Sequence, residues 1–145
     1  MANFVEILKE LLIEKDMRQL DFANLLNIDP STVNRYLSGN QMPILEIAIK
    51  IADTFNYSMD YLFGKAEINQ IKSFHTCPPF SQRLRFLLKH FHKTQINLNE
   101  DAKISKSVMY YWLSGKRMPS MDNIIKLSNY FDCSIDFVVG RVDFE

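Results

Sequence analysis

Five residues between positions 106 and 117 combine cationic heads with aromatic rings: Lys106, Tyr110, Tyr111, Lys116 and Arg117. Cations at that density attract phosphate, and an ammonium or guanidinium head can also meet the O6/N7 edge of guanine. An exposed ring beside them suits contact with a base or a thymine methyl, or a protein interface. A less charged set stands 76 positions earlier, with Pro30, Ser31, Asn34, Arg35, Ser38, Asn40 and Gln41. No other chemistry has comparable support. Paired carboxylates at a useful spacing, a Ser/His/Asp set and a phosphate loop are all missing, so an enzyme is not expected. Cys77 and Cys133 lack a CxxC partner and are expected as reduced thiols, Cys133 within a core. His90 and His92 would lie on different faces of a helix, and no further ligand cluster accompanies them. Neither a metal nor a cofactor is expected.

The two polar sets belong to a duplication. The phrase Y-L-S-G-N-Q-M-P from Tyr36 to Pro43 returns as W-L-S-G-K-R-M-P from Trp112 to Pro119. Residues 4–65 align with 80–141 at a constant offset without a gap, through Phe4/Phe80, Leu8/Leu84, Gln19/Gln95, Ser31/Ser107, Gly39/Gly115, Asp60/Asp136 and Gly64/Gly140. We therefore expect a first domain over 1–66, a linker over 67–79 and a second domain over 80–145. Net charge is zero overall, yet residues 1–66 carry six basic and nine acidic groups, net −3, and residues 80–145 carry ten and seven, net +3. Apolar residues make up 47% of the 145, and the four Gly and five Pro are few enough to leave helices largely unbroken. Apolar runs are too short to span a bilayer, and the N-terminus lacks the pattern of a secretion signal. A cytoplasmic protein with no membrane partner is expected.

Each repeat reads as five short helices. Phe4, Ile7, Leu8, Leu11 and Leu12 form one apolar face, and a second helix runs from Gln19 to Leu26 with Phe22, Ala23 and Leu26 inward. Asn27 suits a tight turn. Asp29 or Ser31 caps a third helix that reaches about Leu37, with Pro30 in its first turn and Gly39 ending it. Pro43 opens a fourth helix through Phe55, and Ser58 caps a last one stopped by Gly64. Val33, Tyr36, Met109 and Trp112 have the inward spacing of core residues. In the linker, Pro78-Pro79 favours an extended entry into Phe80, while Ile68, Ile71 and Phe74 stand at roughly helical spacing and suggest an extended helix packed on one unit.

The pattern Gln19, Phe22, Ala23, Ile28, Ser31, Val33, Tyr36, Gly39 and Pro43, closed by Ser58, Asp60, Tyr61, Leu62 and Gly64, resembles the Cro/CI-type helix-turn-helix of phage repressors and xenobiotic-response regulators. The second copy repeats it with Gln95, Leu98, Ile104, Ser107, Met109, Trp112, Gly115 and Pro119. The resemblance implies an all-α protein of two tandem five-helix, lambda-repressor-like domains. It also implies that the third helix of each enters the major groove of double-stranded DNA while the second crosses the backbone. Gln19 and Gln95 would then meet phosphate at a helix start. The base-reading positions would be Pro30, Ser31, Asn34 and Arg35, and Lys106, Ser107, Tyr110 and Tyr111, with Arg35 and Lys106 reading guanine and Asn34 pairing with adenine. Ser38, Asn40, Gln41, Ser114, Lys116 and Arg117 would follow the phosphates. Ser31 and Ser107 either satisfy the helix start or face DNA.

The sequence also departs from the family. Ala23 becomes Asn99, leaving that packing either looser or hydrogen-bonded, and the turn usually given to Gly holds Asn27 and Lys103. Asp21 and Asp29 would repel phosphate in the first copy. The resulting expectation is a transcriptional regulator, a repressor, with two units reading non-identical half-sites, the chain acting alone or as a homodimer. The alternatives are a first unit that serves dimerisation or partner binding while the second holds DNA, and an antitoxin-type role in which a partner protein is bound. Any small-molecule or protein effector would act through the linker or a groove between units.

Overall fold

The computed structural model describes residues 3–70 and 73–143, and among them lie ten helices and no strand. The chain divides into two compact units, Met1–Lys72 and Ser73–Glu145. The first contains α1 (Phe4–Glu14), α2 (Gln19–Leu26), α3 (Pro30–Ser38), α4 (Leu45–Phe55) and α5 (Met59–Leu62). The second contains α6 (Phe80–His90), α7 (Gln95–Asp101), α8 (Lys106–Ser114), α9 (Met121–Phe131) and α10 (Ile135–Val139).

In the first unit Asn3 caps α1 by accepting the Glu6 N–H at 3.0 Å. The face made by Phe4, Ile7, Leu8, Leu11 and Leu12 is buried as its spacing requires. Asn27 ends α2 in the left-handed region at φ 56°, which frees Pro30 to take the first position of α3, where its missing N–H costs nothing. Val33 and Tyr36 turn into the core, and Phe4 meets the Tyr36 ring edge-on at 6.1 Å while stacking on Phe63 at 5.1 Å. Burial raises the pKa of the Tyr36 hydroxyl, against a smaller opposing effect of the Arg35 charge. The second unit repeats the arrangement, with Phe80 edge-on to Trp112 at 6.0 Å.

Several expectations are corrected. Neither Asp29 nor Ser31 caps α3 through its side chain: Asp29 holds the N-cap position without a side-chain bond, and Ser31 lies inside the first turn. In α8 the cap is Ser105, which accepts the Val108 N–H at 3.2 Å, and Ser107 stands exposed behind it. Pro43 does not open α4. It lies buried two residues ahead, in the irregular segment between Gly39 and Ile44, whose extended backbone precedes the first helical residue, Leu45. Pro119 occupies the same place before Ser120, which caps α9 through the Asn123 N–H at 3.2 Å.

The linker differs most. No helix continues over 66–70, and Ile68 is 75% exposed. Gly64 at φ 79° turns the chain, and the N–H groups of Lys65 and Ala66 close onto the Asp60 carbonyl. Asn69 then binds back, its Oδ1 accepting the Ser58 N–H at 2.8 Å. Ile71 lies outside the described residues. Beyond it, Phe74 supports the Arg141 guanidinium at 3.9 Å, and the His75 N–H donates to the Arg141 carbonyl at 2.8 Å. Arg141 is fully buried and pairs with Asp136 at 2.6 Å. The linker residues on either side of the division are thus each bound into their own unit.

Candidate nucleic-acid interface

In each unit the second and third helices, α2 with α3 and α7 with α8, pack across a short turn. In unit one the turn is formed by Asn27 in the left-handed conformation. In unit two Ala102 remains right-handed and Lys103 takes φ 60°, a conformation that costs a side chain with a Cβ about 1–2 kcal/mol. Lys103 donates its ammonium to the Glu100 carbonyl at 2.9 Å. The change from Ala23 to Asn99 is accommodated by a hydrogen bond, Asn99 Nδ2 donating to the Ile104 carbonyl at 2.9 Å. Beside it lies a small hollow of about 170 Å³ lined by Gln95, Ile96, Asn99, Lys106 and Met109. It brings the first residue of α7 next to the first residue of α8.

Gln19 and Gln95 are exposed first residues of α2 and α7, at helix ends whose partial positive charge favours anions. Pro30, Ser31, Asn34 and Arg35 share the exposed side of α3, and Lys106, Ser107 and Tyr110 share that of α8. Tyr110 is 56% exposed and Tyr111 half-buried, so neither ring enters the core. Ser38 and Ser114 sit at equivalent helix ends, donating their hydroxyls to the carbonyls of Arg35 at 3.1 Å and Tyr111 at 3.2 Å. Their oxygens can still accept a hydrogen bond. Asn40, Lys116 and Arg117 are exposed in the segment just beyond the helix.

The same spacing is bridged differently in the two units. In unit one Arg35 donates Nε to Gln41 Oε1 at 2.7 Å and Nη2 to Thr32 Oγ1 at 3.1 Å. At the equivalent pair in unit two the Arg117 guanidinium lies over the Tyr111 ring at 4.3 Å. The neighbouring pair matches it, with Lys116 Nζ at 5.2 Å from the Tyr110 ring centre and 3.3 Å from its hydroxyl. Two cations are thereby held on rings, which limits their rotamers without neutralising their charge.

Sequence reasoning missed three partners of this surface. Asp21 does not stand as a bare negative charge: it accepts the Arg18 backbone N–H and both Nε and Nη2 of Arg18 at 3.0–3.1 Å. These hydrogen bonds lower the Asp21 pKa and raise that of Arg18. The three-residue spacing was the available signal. Thr32, which fixes Arg35, follows from the same helical spacing. Arg85 donates Nη2 to the Leu113 carbonyl at 2.8 Å, placing a cation at the C-terminal end of α8 where the helix dipole favours it. Only the fold reveals that contact, because 28 residues separate the two groups.

Two helix-turn-helix units, each with a polar outer face on its third helix, define the class of this protein. The helix-turn-helix family matches the chain twice, over residues 8–62 and 84–138, and the chain belongs to that family. It is also similar to the repressor protein CI of Enterobacteria phage phi80, at 33% identity over 64 residues. That match spans 44% of this chain and 27% of the phage protein. No solved structure matches the chain. Among the described residues no helix is long and apolar enough to cross a membrane, and no group of three or more His, Cys, Asp or Glu is placed to hold a metal ion.

Proposed function

We propose that the chain is a sequence-specific DNA-binding transcriptional regulator, a repressor whose two units read non-identical half-sites of double-stranded DNA. The observation that carries the reading is the unequal chemistry of one repeated surface. Pro30, Ser31, Asn34 and Arg35 stand where Lys106, Ser107, Tyr110 and Tyr111 stand in the other unit, on the outer side of equivalent helices. Base edges in the major groove distinguish such sets, since Asn pairs with adenine and Lys or Arg with guanine. Gln19, Gln95, Ser38, Ser114, Asn40, Lys116 and Arg117 surround those positions and serve the phosphates. Similarity to a phage repressor favours repression over activation. Selection from a random duplex library with the whole chain tests the proposal. A composite site with two different halves is expected, and a perfect palindrome bound by one chain would overturn it.

A second reading assigns protein binding to unit one and DNA binding to unit two. It is favoured by Arg35, whose guanidinium is engaged by Gln41 and Thr32 within a unit of net charge −3. Under this reading Arg35→Ala leaves DNA affinity intact while charge reversal at Lys106 and Arg117 abolishes it. Loss of selectivity at one half-site on Arg35→Ala would decide for the first reading.

A further inference from the structure

The ends of α1 and α6 are the same place on the two repeats, and their chemistry is opposite. On α1, Glu10, Ile13 and Glu14 share a face by helical spacing, and Asp16 follows just past the helix; all four are exposed, Ile13 at 81%. The equivalent residues of unit two are Phe86, Lys89, His90 and His92. They line an open hollow of about 410 Å³. The two histidines face the same hollow, contrary to the separate faces expected of a continuous helix, because α6 ends at His90 and His92 turns back at φ 54°.

The hollow has a firm floor. The His90 ring stacks on Phe86 at 5.3 Å and also meets Phe91 and Phe137. Arg83, over Phe86 at 4.3 Å and Phe137 at 4.7 Å, holds the cluster from the other side. On the acidic face Glu14 hydrogen-bonds the Tyr57 hydroxyl, whose pKa is pushed up to about 12 by burial first and by Glu14, Tyr61 and Glu10. One face therefore presents an exposed branched aliphatic side chain with three carboxylates and the exposed Lys9 around it. The other presents an aromatic hollow ringed by an ammonium and two imidazoles, all able to donate hydrogen bonds to carboxylates.

We propose that these faces bind one another between two copies of the chain, Ile13 of one seated in the Phe86–His90 hollow of the other. Glu10, Glu14 and Asp16 then meet Lys89, His90 and His92. Each copy carries one face of each kind, so unit one of one copy meets unit two of the other. A face that opposed its own counterpart would bring three carboxylates against three, which like-charge repulsion disfavours. The contact is separate from the surface assigned to DNA.

Sedimentation of the full chain across the micromolar range, without DNA, tests this. The wild type is expected to dimerise reversibly. Glu14→Lys and Lys89→Glu are each expected to weaken association at least tenfold. Mixing the two variants should restore it, because the native acidic face of the Lys89→Glu variant meets the native hollow of the Glu14→Lys variant. Ile13→Asn provides a variant independent of charge and should also dissociate the pair, its thermal unfolding unchanged because the side chain is exposed. A wild type that stays monomeric throughout would overturn the proposal. So would single variants that dissociate but whose mixture does not re-associate.

Discussion

Removing the cations that follow α8 should leave a specific signature in the salt dependence of DNA binding. Lys116 and Arg117 are exposed, and each contacts a tyrosine ring rather than a carboxylate. Truncating both to Ala therefore costs little stability, so any change reports on binding. Each phosphate contact contributes a slope of about −0.9 to the plot of log affinity against log salt concentration. Losing two contacts should make the slope shallower by about 1.8. Between about 50 and 200 mM salt the double variant's affinity should fall about twelvefold less than the wild type's. Fluorescence anisotropy of a labelled duplex, titrated with the full chain at several salt concentrations, measures this directly. Tyr110→Leu with Tyr111→Leu is the companion: it keeps both charges, so the slope should be unchanged while affinity falls and preference at one half-site relaxes, from lost base contact and lost restraint of the cations. An unaltered slope in the Lys116→Ala, Arg117→Ala variant would refute phosphate contact by these residues.

Three further outcomes follow from the packing of unit two, whose Trp112 is the single tryptophan of the chain and so reports that unit's unfolding by fluorescence. Arg141→Met strands the buried Asp136 carboxylate and should lower the stability of this unit by about 3–5 kcal/mol, read as a large drop in the denaturant midpoint. Lys103→Gly removes the left-handed strain of the turn and should raise stability by about 0.5–1 kcal/mol, a Tm increase of several degrees. Ser105→Ala deletes the cap of α8 and should cost about 1 kcal/mol, whereas Ser107→Ala should leave stability nearly unchanged because Ser107 caps nothing.

Periodicity was a good guide wherever burial decides structure. Leu8, Leu11, Phe22, Val33, Tyr36 and their counterparts lie in the cores that their spacing predicts, because an apolar side chain has few other ways to leave water. The turns at Asn27, Gly39 and Gly64 were also readable, since these residues tolerate positive φ, whereas Asp16, His92 and Asp132 take the same conformation with no such signal. What could not be read is where long polar side chains go. Arg35, Asp21 and Arg117 are each fixed by a neighbour a few residues away, and several rotamers compete at nearly equal energy. Arg141 is the extreme case: it aligns with the exposed Lys65, yet is fully buried because Phe74 and Asp136 enclose it. The linker misled for a related reason. Ile68 and Phe74 have helical spacing, but Asn69 and His75 gain hydrogen bonds by folding back onto separate units.

The changed dipeptide in the repeated phrase acquires a physical meaning from these contacts. Across Gly39, the arginine is on the helix at position 35 and its amide partner is past the helix at 41; across Gly115, the arginine is past the helix at 117 and its tyrosine partner is on the helix at 111. The bridge spans the same six residues in both units, so the backbone scaffold tolerates either polarity. Its consequence for binding is not symmetric. A guanidinium on the helix directs its donors at a base edge, whereas one beyond the helix directs them at the backbone that flanks the groove. Unit one would thus supply more of the selectivity and unit two more of the salt-dependent affinity. Exchanging the pairs, with Arg35→Tyr and Gln41→Arg in unit one, should accordingly steepen the salt slope by about 0.9 while relaxing base preference at one half-site. A steeper slope with preference unchanged would show that Arg35 reads no base.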